Sequence, residues 1–298
     1  MEKWFSEILK DPVSFNNLEY DNGRLLNDVN EQFYPVQNNI PVFTESIKTS
    51  KVTTHLHEPL NTQFNYIDHY EKDAVFFDYS APHISLSENV EETVLRKMIA
   101  QEIPKEAILL LDVGCGSAWF AKYFVHRKKK VVSLDVSFTN AFKAIAKVSA
   151  PNHAAVVADV YQLPFGENTF DCIVASEIIE HLHDPELFVK KMVYILKPGG
   201  KLIVTTPYNE RLEYSLCIHC NRPTPRHAHL HSFNKKKIEE IFKAVPNHKF
   251  KIKIFNNGLL MKFRIHILLK NTFLWQILDN MANLIFNKAL RLKVVLQK

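Results

Sequence analysis

The stretch 109–121, LLLDVGCGSAWFA, gathers residue types that could hold a nucleotide. Leu109, Leu110 and Leu111 form an apolar run of the length a buried parallel strand needs. Asp112 closes the run. Gly114 and Gly116 follow, where a backbone without Cβ atoms can turn sharply and approach a ligand. Trp119 opens a helical pattern, so strand, glycine turn and helix N-terminus make a cradle at the carboxyl end of a sheet. Two more acids stand at strand ends. Asp135 closes VVSLD, nineteen residues beyond Gly116, where a carboxylate can accept both ribose hydroxyls of an adenosine. Asp159, in ADVYQLPF, can accept from an adenine amino group, with Val160 beside the ring. A dinucleotide would need a third glycine at position 119 so that the helix can pack close beneath the pyrophosphate. The indole of Trp119 argues against that ligand.

The second chemical stretch is 217–231, CIHCNRPTPRHAHLH. Cys217 and Cys220 have the CxxC spacing of a zinc knuckle. His227, His229 and His231 alternate, which on an extended strand turns all three to one side. Cys217, Cys220, His229 and His227, with His231 as rival for the fourth place, are the expected ligands of a structural Zn2+. The plainer alternative is a loop with two thiols and solvent-facing histidines.

These groups must be positioned by a framework. Strands are expected at 107–113, 130–135, 153–158, 170–175 and 200–206, with helices at 118–127, 138–148 and 185–196 between them. Repeated βα units imply a parallel sheet covered on both faces. A helix at 234–244, a strand at 249–255, a helical insert at 259–289 and a last strand at 291–297 complete the segment 106–298, which contains the Cys/His loop at 214–233. Upstream, 46–105 reads as a polar linker and helical material. The aromatic segment Phe64 to Tyr79 either packs Phe64, Tyr66, Tyr70 and Phe76 against the main domain or closes as a lid with Tyr66, His69 and Tyr70 over a pocket. Residues 1–45 read as a small β-rich module, with Asp21-Asn22-Gly23 as a hairpin turn and Asn38-Asn39 as a second turn.

Composition excludes several classes. At 298 residues, 46% hydrophobic and 23% charged, the chain is an ordinary globular protein. The four cysteines suggest no disulfide framework, and Glu2, Lys3 and Glu7 stand where a secretory leader would be apolar, so a reducing, cytoplasmic setting is expected. From Lys235 to Lys298 there are fourteen Lys/Arg and three acids, a net of +11, leaving −6 for the rest of a chain of net +5. That segment is either a solvated basic face or attracted to an anionic partner: a membrane surface, a phosphorylated substrate or RNA. Nucleic acid is the least supported, because no basic motif is interleaved with aromatics. The apolar insert reads as a core-packing pair, a homodimer surface, a lid over an apolar acceptor, or an amphipathic element on a membrane.

Five motifs in order, LLDVGCGSAWFA, VVSLDVS, ADVYQLPF, FDCIVASEIIEHLHD and LKPGGKLIVTTP, resemble the class I S-adenosylmethionine-dependent methyltransferases, in particular the ubiquinone and menaquinone biosynthesis group. The resemblance implies an α/β, Rossmann-like, seven-stranded, mostly parallel sheet with the final strand antiparallel. It implies S-adenosylmethionine as cofactor, with Asp112, Gly114 and Gly116 around its methionine part, Asp135 on the ribose, Asp159 and Val160 at the adenine, and Ser176 and Glu177 at the mouth. The implied reaction is methyl transfer, O-methylation favoured, to a small-molecule or lipid-linked acceptor. His181 and His183 are the candidate catalytic bases, or else ordinary helix-start histidines, and Tyr208, Asn209 and Glu210 are expected to face the acceptor. RNA methylation and a non-catalytic scaffold are the alternatives. The N-terminal stretch resembles a zinc-ribbon-like domain that accompanies methyltransferases. Asp11-Pro12-Val13-Ser14 and Asn27-Asp28-Val29-Asn30 stand where metal-bearing versions have cysteines, so no zinc is expected there.

Overall fold

The computed structural model describes residues 1–27, 29, 32–44, 55–56, 62–63, 65–78, 86–218, 221–263, 265, 269 and 272–298. A short helix α1 (Lys3–Ser6) precedes an antiparallel four-stranded sheet of β1 (Glu19–Asp21), β2 (Arg24–Leu26), β3 (Phe33–Gln37) and β4 (Ile40–Pro41). Its first and last turns are the expected ones. Asn22 and Gly23 have φ 44° and 79°, and Asn38 and Asn39 have φ 51° and 63°, the left-handed pairs of tight hairpin turns. The two-residue strands β5 (His55–Leu56) and β6 (Thr62–Gln63) lead to helices α2 (Tyr66–Phe76) and α3 (Leu86–Ala100).

The alternating region follows: β7 (Leu109–Val113), α4 (Trp119–Phe124), β8 (Lys130–Asp135), α5 (Phe138–Lys147), β9 (His153–Val157), β10 (Phe170–Ser176), α6 (Pro185–Ile195) and β11 (Leu196–Pro207). A hairpin of β12 (Tyr214–Leu216) and β13 (Pro223–Pro225) is followed by α7 (Lys235–Lys243), β14 (Lys249–Asn257), α8 (Gly258–Lys262), α9 (Thr272–Phe286) and β15 (Ala289–Gln297). The seven-stranded sheet has the order β14-β15-β11-β10-β7-β8-β9. β15 runs antiparallel to both its neighbours, and the other pairings are parallel. This is the mostly parallel Rossmann-like sheet with a reversed final strand. Both faces are covered: Leu111, Val132 and Ile173 are buried in one apolar core, and Leu110, Val131 and Val174 in the other. Side-chain caps start the helices where the sequence supplies them, Ser137 for α5, Asp184 with Pro185 for α6 and Asn234 for α7.

Three boundaries depart from expectation. The fifth strand begins at Leu196, not 200, because the Pro-Gly-Gly segment is absorbed as an irregularity in the pairing with β10. Gly199 takes φ 78°, and a Cβ on Gly200 would stand 2.8 Å from Leu196 Cδ1. The first helix of the alternating region tightens into a 3-10 turn at Val125–Arg127. The insert is a pair, α8 and α9, with part of the chain between them outside the described residues.

The N-terminal sheet is joined to the main one. Phe5, Leu9, Leu25, Tyr34 and Phe43 share an apolar core with Leu163 and Phe165. Val42 pairs in parallel with Val157, and Phe43 N–H donates to Val157 O at 2.8 Å, which carries the main sheet on beyond β9. A buried polar knot occupies the knuckle region. Asp11 accepts from Val13 and Ser14 N–H (2.9 and 2.8 Å), from Asn27 Nδ2 and from Tyr34 O–H (both 3.0 Å), and Asn27 Nδ2 also reaches Ser14 Oγ at 3.0 Å. Burial would raise the Asp11 pKa, but these hydrogen bonds more than reverse it, so the carboxylate sits below its ordinary value. Asp11→Ala strands the Asn27 amide and the Tyr34 hydroxyl and is expected to cost about 2–4 kcal/mol. Urea unfolding checks this, and a change in midpoint stability under about 1 kcal/mol would contradict it.

Candidate active site

The carboxyl ends of β7, β8 and β10 meet at one edge of the sheet, and the expected cradle lies there. Asp112 is buried, and its Oδ2 has no hydrogen-bond partner. Burial first, and the charge of Asp135 second, push the Asp112 carboxyl far above its usual range. An orphaned carboxyl oxygen at the glycine turn suits a cationic or donor group of a ligand. Gly114 has φ 70°, and a Cβ there would lie 2.1 Å from Ile178 Cδ1. Gly116 has φ 39°, and a Cβ there would meet only Gly114 O at 4.0 Å, so conformation rather than crowding calls for glycine there. Asp135 accepts from Ser137 N–H at 2.9 Å, Asn140 Nδ2 at 3.3 Å and Gly116 N–H at 3.4 Å. Burial raises its pKa to about 6, with those bonds opposing.

Helix α2 lies across this cleft. Tyr66 O–H donates to Asp159 Oδ2, while Asp159 Oδ1 takes Tyr161 N–H at 2.9 Å. A carboxylate oxygen has two lone pairs, so Asp159 retains acceptor capacity for an adenine amino group. Glu71 accepts from Ser137 Oγ at 2.8 Å and Thr139 N–H at 3.3 Å, tying α2 to the start of α5 beside Asp135. Tyr70 is edge-on to His181 at 5.8 Å, and its buried hydroxyl has no partner. Tyr66 and Tyr70 of the aromatic segment thus both meet residues of the cleft. Phe76, expected among the packing residues, is 83% exposed, and Phe64 and Tyr79 lie outside the described residues.

The two candidate bases separate. His183 lies against Tyr161 at 4.2 Å and Tyr66 at 6.3 Å, on the Asp159 side. His181 belongs to another group. Glu180, His181 and His229 bring one potential ligand atom each to within 4.8 Å of one another. The protons point away from their meeting point. His181 Nδ1 faces Ala228 O at 3.2 Å and His229 Nδ1 faces Glu210 Oε2 at 2.6 Å, so Nδ1 of each ring is assigned the N–H and Nε2 the lone pair. A carbonyl or carboxylate behind each ring is how ligating histidines are oriented. Glu180 Oε2 accepts from Thr206 Oγ1 at 3.0 Å, and its buried Oε1 has no partner. Burial, then the charge of Glu177, push Glu180 far above the usual carboxylate range. Burial, then His229, hold His181 down to about 3, so it stays neutral. Two imidazole lone pairs and an unsatisfied carboxyl oxygen fit a divalent cation.

The expected Cys/His zinc set lies partly outside the described residues. His229 joins Glu180 and His181, whereas Cys217 and His227 belong to no such group among the described residues, and Cys220 lies outside them. The expected extended run of histidines is replaced by a 3-10 turn, Arg226–Ala228, with His227 and Ala228 at φ 57° and 54°. Successive side chains there no longer alternate, so the one-sided set of histidines is lost. Cys217 sits at the tip of the β12–β13 hairpin, its N–H donating to Arg222 O at 2.9 Å.

At the mouth, Ser176 Oγ meets Thr205 Oγ1 at 3.1 Å. Glu177 takes a left-handed φ of 58°, and its Oε2 lies 3.3 Å from Arg291 Nη1, while Arg291 Nε lies 3.0 Å from Glu91 Oε1. Val160 packs, half-buried, against the core below Asp159. Glu180 and Arg291 were missed by sequence reasoning. Glu177, Glu180 and His181 stand at i, i+3 and i+4, a spacing that could have signalled one shared face. Nothing local marks Arg291, which reaches the site only because β15 is inserted beside β11.

Residues 111–204 match the methyltransferase domain family. The chain is 33% identical over 107 residues to a ubiquinone biosynthesis O-methyltransferase of Mesorhizobium japonicum, covering 35% of this chain and 42% of that protein. It is 36% identical over 103 residues to the human mitochondrial arginine-hydroxylase NDUFAF5, covering 34% of this chain and 29% of that one. These matches span under half the length of either relative. A solved complex of a methyltransferase with its activator from Haloferax volcanii shares the fold, with TM-score 0.50 and 17% identity over 77% of this chain and 96% of that one.

Proposed function

We propose that this chain, whose core is a class I S-adenosylmethionine-dependent methyltransferase domain, transfers a methyl group to a hydroxyl of a small or lipid-linked acceptor. The observation that carries the reading is the meeting of Glu180, His181 and His229 beside the glycine cradle. Bound S-adenosylmethionine supplies a methyl group already activated on a sulfonium. Asp112, Gly114, Gly116, Asp135 and Asp159 bind and orient it. Helix α2 excludes water from the cleft through Tyr66 and Glu71. His181, kept neutral by burial, has Nε2 available as a proton acceptor or as a cation ligand. A divalent cation held by Glu180, His181 and His229 would lower the pKa of an acceptor hydroxyl there. Three protein ligands leave room for two adjacent acceptor oxygens, so a vicinal dihydroxy compound suits the site. The name of the Mesorhizobium japonicum relative, a ubiquinone biosynthesis O-methyltransferase, agrees with transfer to oxygen.

The test is transfer of isotopically labelled methyl from S-adenosylmethionine to 3,4-dihydroxybenzoate bearing a prenyl chain, with Mg2+ or Mn2+ and after chelation. Label recovered as a methyl ether, and lost on chelation, is expected. Label found only on nitrogen, carbon or RNA would overturn the acceptor class, and absence of calorimetric S-adenosylmethionine binding would favour a scaffold.

Cofactor affinity is expected to depend on pH through Asp135. Ribose hydroxyls donate to the carboxylate form, so the ionised state binds. The pKa of about 6 in the free protein means affinity is flat above pH 7 and falls as pH drops through 6. At pH 5 it should be about tenfold weaker, and Asp135→Asn should flatten the profile. Calorimetry with equal affinity at pH 7 and 5 would contradict this.

A further inference from the structure

We propose that the outward face of α9 docks on an anionic lipid surface, setting the active-site edge of the sheet against a membrane. The insert hangs from that edge. β14 is antiparallel to β15, as β11 is, so β14 and β11 run the same way, and Phe255 and Pro207 both register with Arg291. Arg291 in turn holds Glu177 at the mouth of the site.

The rotation of α9 is fixed by polar contacts together with one buried indole, Trp275. Asp279 Oδ1 accepts from Asn257 N–H at 2.6 Å and Oδ2 from Asn256 N–H at 3.0 Å, and Asn257 Nδ2 donates to Asn283 Oδ1 at 2.7 Å. Trp275 and Ala282 are buried on the same side. The opposite side carries Ile277, Met281, Leu284 and Ile285, with Leu284 85% and Ile285 71% exposed. A surface helix ordinarily turns its apolar stripe inward. Here the acid and the amide face the protein and the aliphatic stripe faces out, and four hydrogen-bonding groups hold it so. A contiguous apolar stripe of this kind marks an interaction surface.

Charge selects the occupant. Helix α9 has no Lys or Arg and one acid, Asp279, which is buried. Lys262 and Lys288, at the two ends of the insert, are exposed. A second copy of this chain would bring cationic rims together, which opposes association. An anionic bilayer surface accepts both the apolar stripe and the lysines. No helix among the described residues is long and apolar enough to cross a membrane, so the contact is interfacial.

The test is flotation of the full chain with vesicles of phosphatidylcholine alone or with one quarter phosphatidylglycerol. Binding to the anionic vesicles, weakened by salt, is expected. Leu284→Gln with Ile285→Gln should reduce it at least tenfold. Lys262→Glu with Lys288→Glu should reduce it at least about thirtyfold on anionic vesicles, by the known contribution of each basic residue near a charged surface. S-adenosylmethionine affinity, unchanged in both variants, shows that they fold. Absence of wild-type binding at low salt would overturn the proposal. So would light scattering that shows a wild-type dimer split by the Leu284/Ile285 variant without vesicle binding, which assigns the face to a second copy. The readout is binding, so it stands apart from the outcome of the methylation assay.

Discussion

Glu180→Gln is expected to lower methyl transfer by about 10²–10³-fold, leaving S-adenosylmethionine affinity within about threefold of wild type. The substitution keeps the shape and the acceptor that meets Thr206 Oγ1, and replaces the open ligand atom Oε1 with an amide NH2 that has no lone pair to give. Burial and Glu177 already make the charge of Glu180 costly in the folded protein. Thermal stability should therefore stay level or rise while turnover falls, which separates a functional role from a structural one. His229→Ala should show a loss of the same class. Glu210→Gln, which removes only the charge orienting His229 Nδ1, should cost about 10–100-fold and shift the cation concentration needed for half activity. Steady-state kinetics across a Mn2+ titration, with a thermal melt on each variant, makes the measurement. A Glu180→Gln enzyme with near-wild-type kcat at every cation concentration would remove Glu180 from the site.

Gly114→Ala is expected to weaken S-adenosylmethionine binding at least a hundredfold. Two penalties coincide. The φ of 70° costs a residue with a Cβ about 1–2 kcal/mol. The new methyl would stand 2.1 Å from Ile178 Cδ1 and 2.7 Å from Cγ1, so the turn or the segment after β10 must move. Both movements spoil the cradle. Gly199→Ala is the comparison, with a similar φ of 78° and nothing within 4 Å. It should cost about 1 kcal/mol of stability and leave affinity unchanged. Ile178→Val in the Gly114→Ala background removes Cδ1 and should recover part of the affinity. Calorimetric titration of the four proteins decides, and normal binding by Gly114→Ala would show that the turn does not support the cofactor.

The alternating strands were legible because two-sided burial writes itself as near-continuous apolar runs, as at 109–111 and, broken only by Ser133, at 131–134. The glycine cradle and Asp135 were legible because their spacing is local to one βαβ unit. The histidines were not. Alternation of His227, His229 and His231 suggested a strand, and a 3-10 turn formed instead, its last residue Ala228 giving His181 a carbonyl. The CxxC spacing suggested a zinc ligand set, yet among the described residues the ligand atoms that converge come from Glu180, His181 and His229, which are 49 positions apart in sequence at their furthest.

The amino-acid sequence by itself determined the sheet, its glycine turn and the acids at its strand ends, because hydrophobic period, glycine placement and strand-end carboxylates act within about thirty residues. Only the tertiary structure decided which histidines meet Glu180, that Arg291 closes the mouth, and that α9 turns its apolar side outward. Each of these depends on contacts between distant segments: the loop after β13 against the turn after β10, β15 beside β11, and Asp279 on the end of β14. Long-range hydrogen bonds select among rotations and registers that local propensity leaves equal in energy.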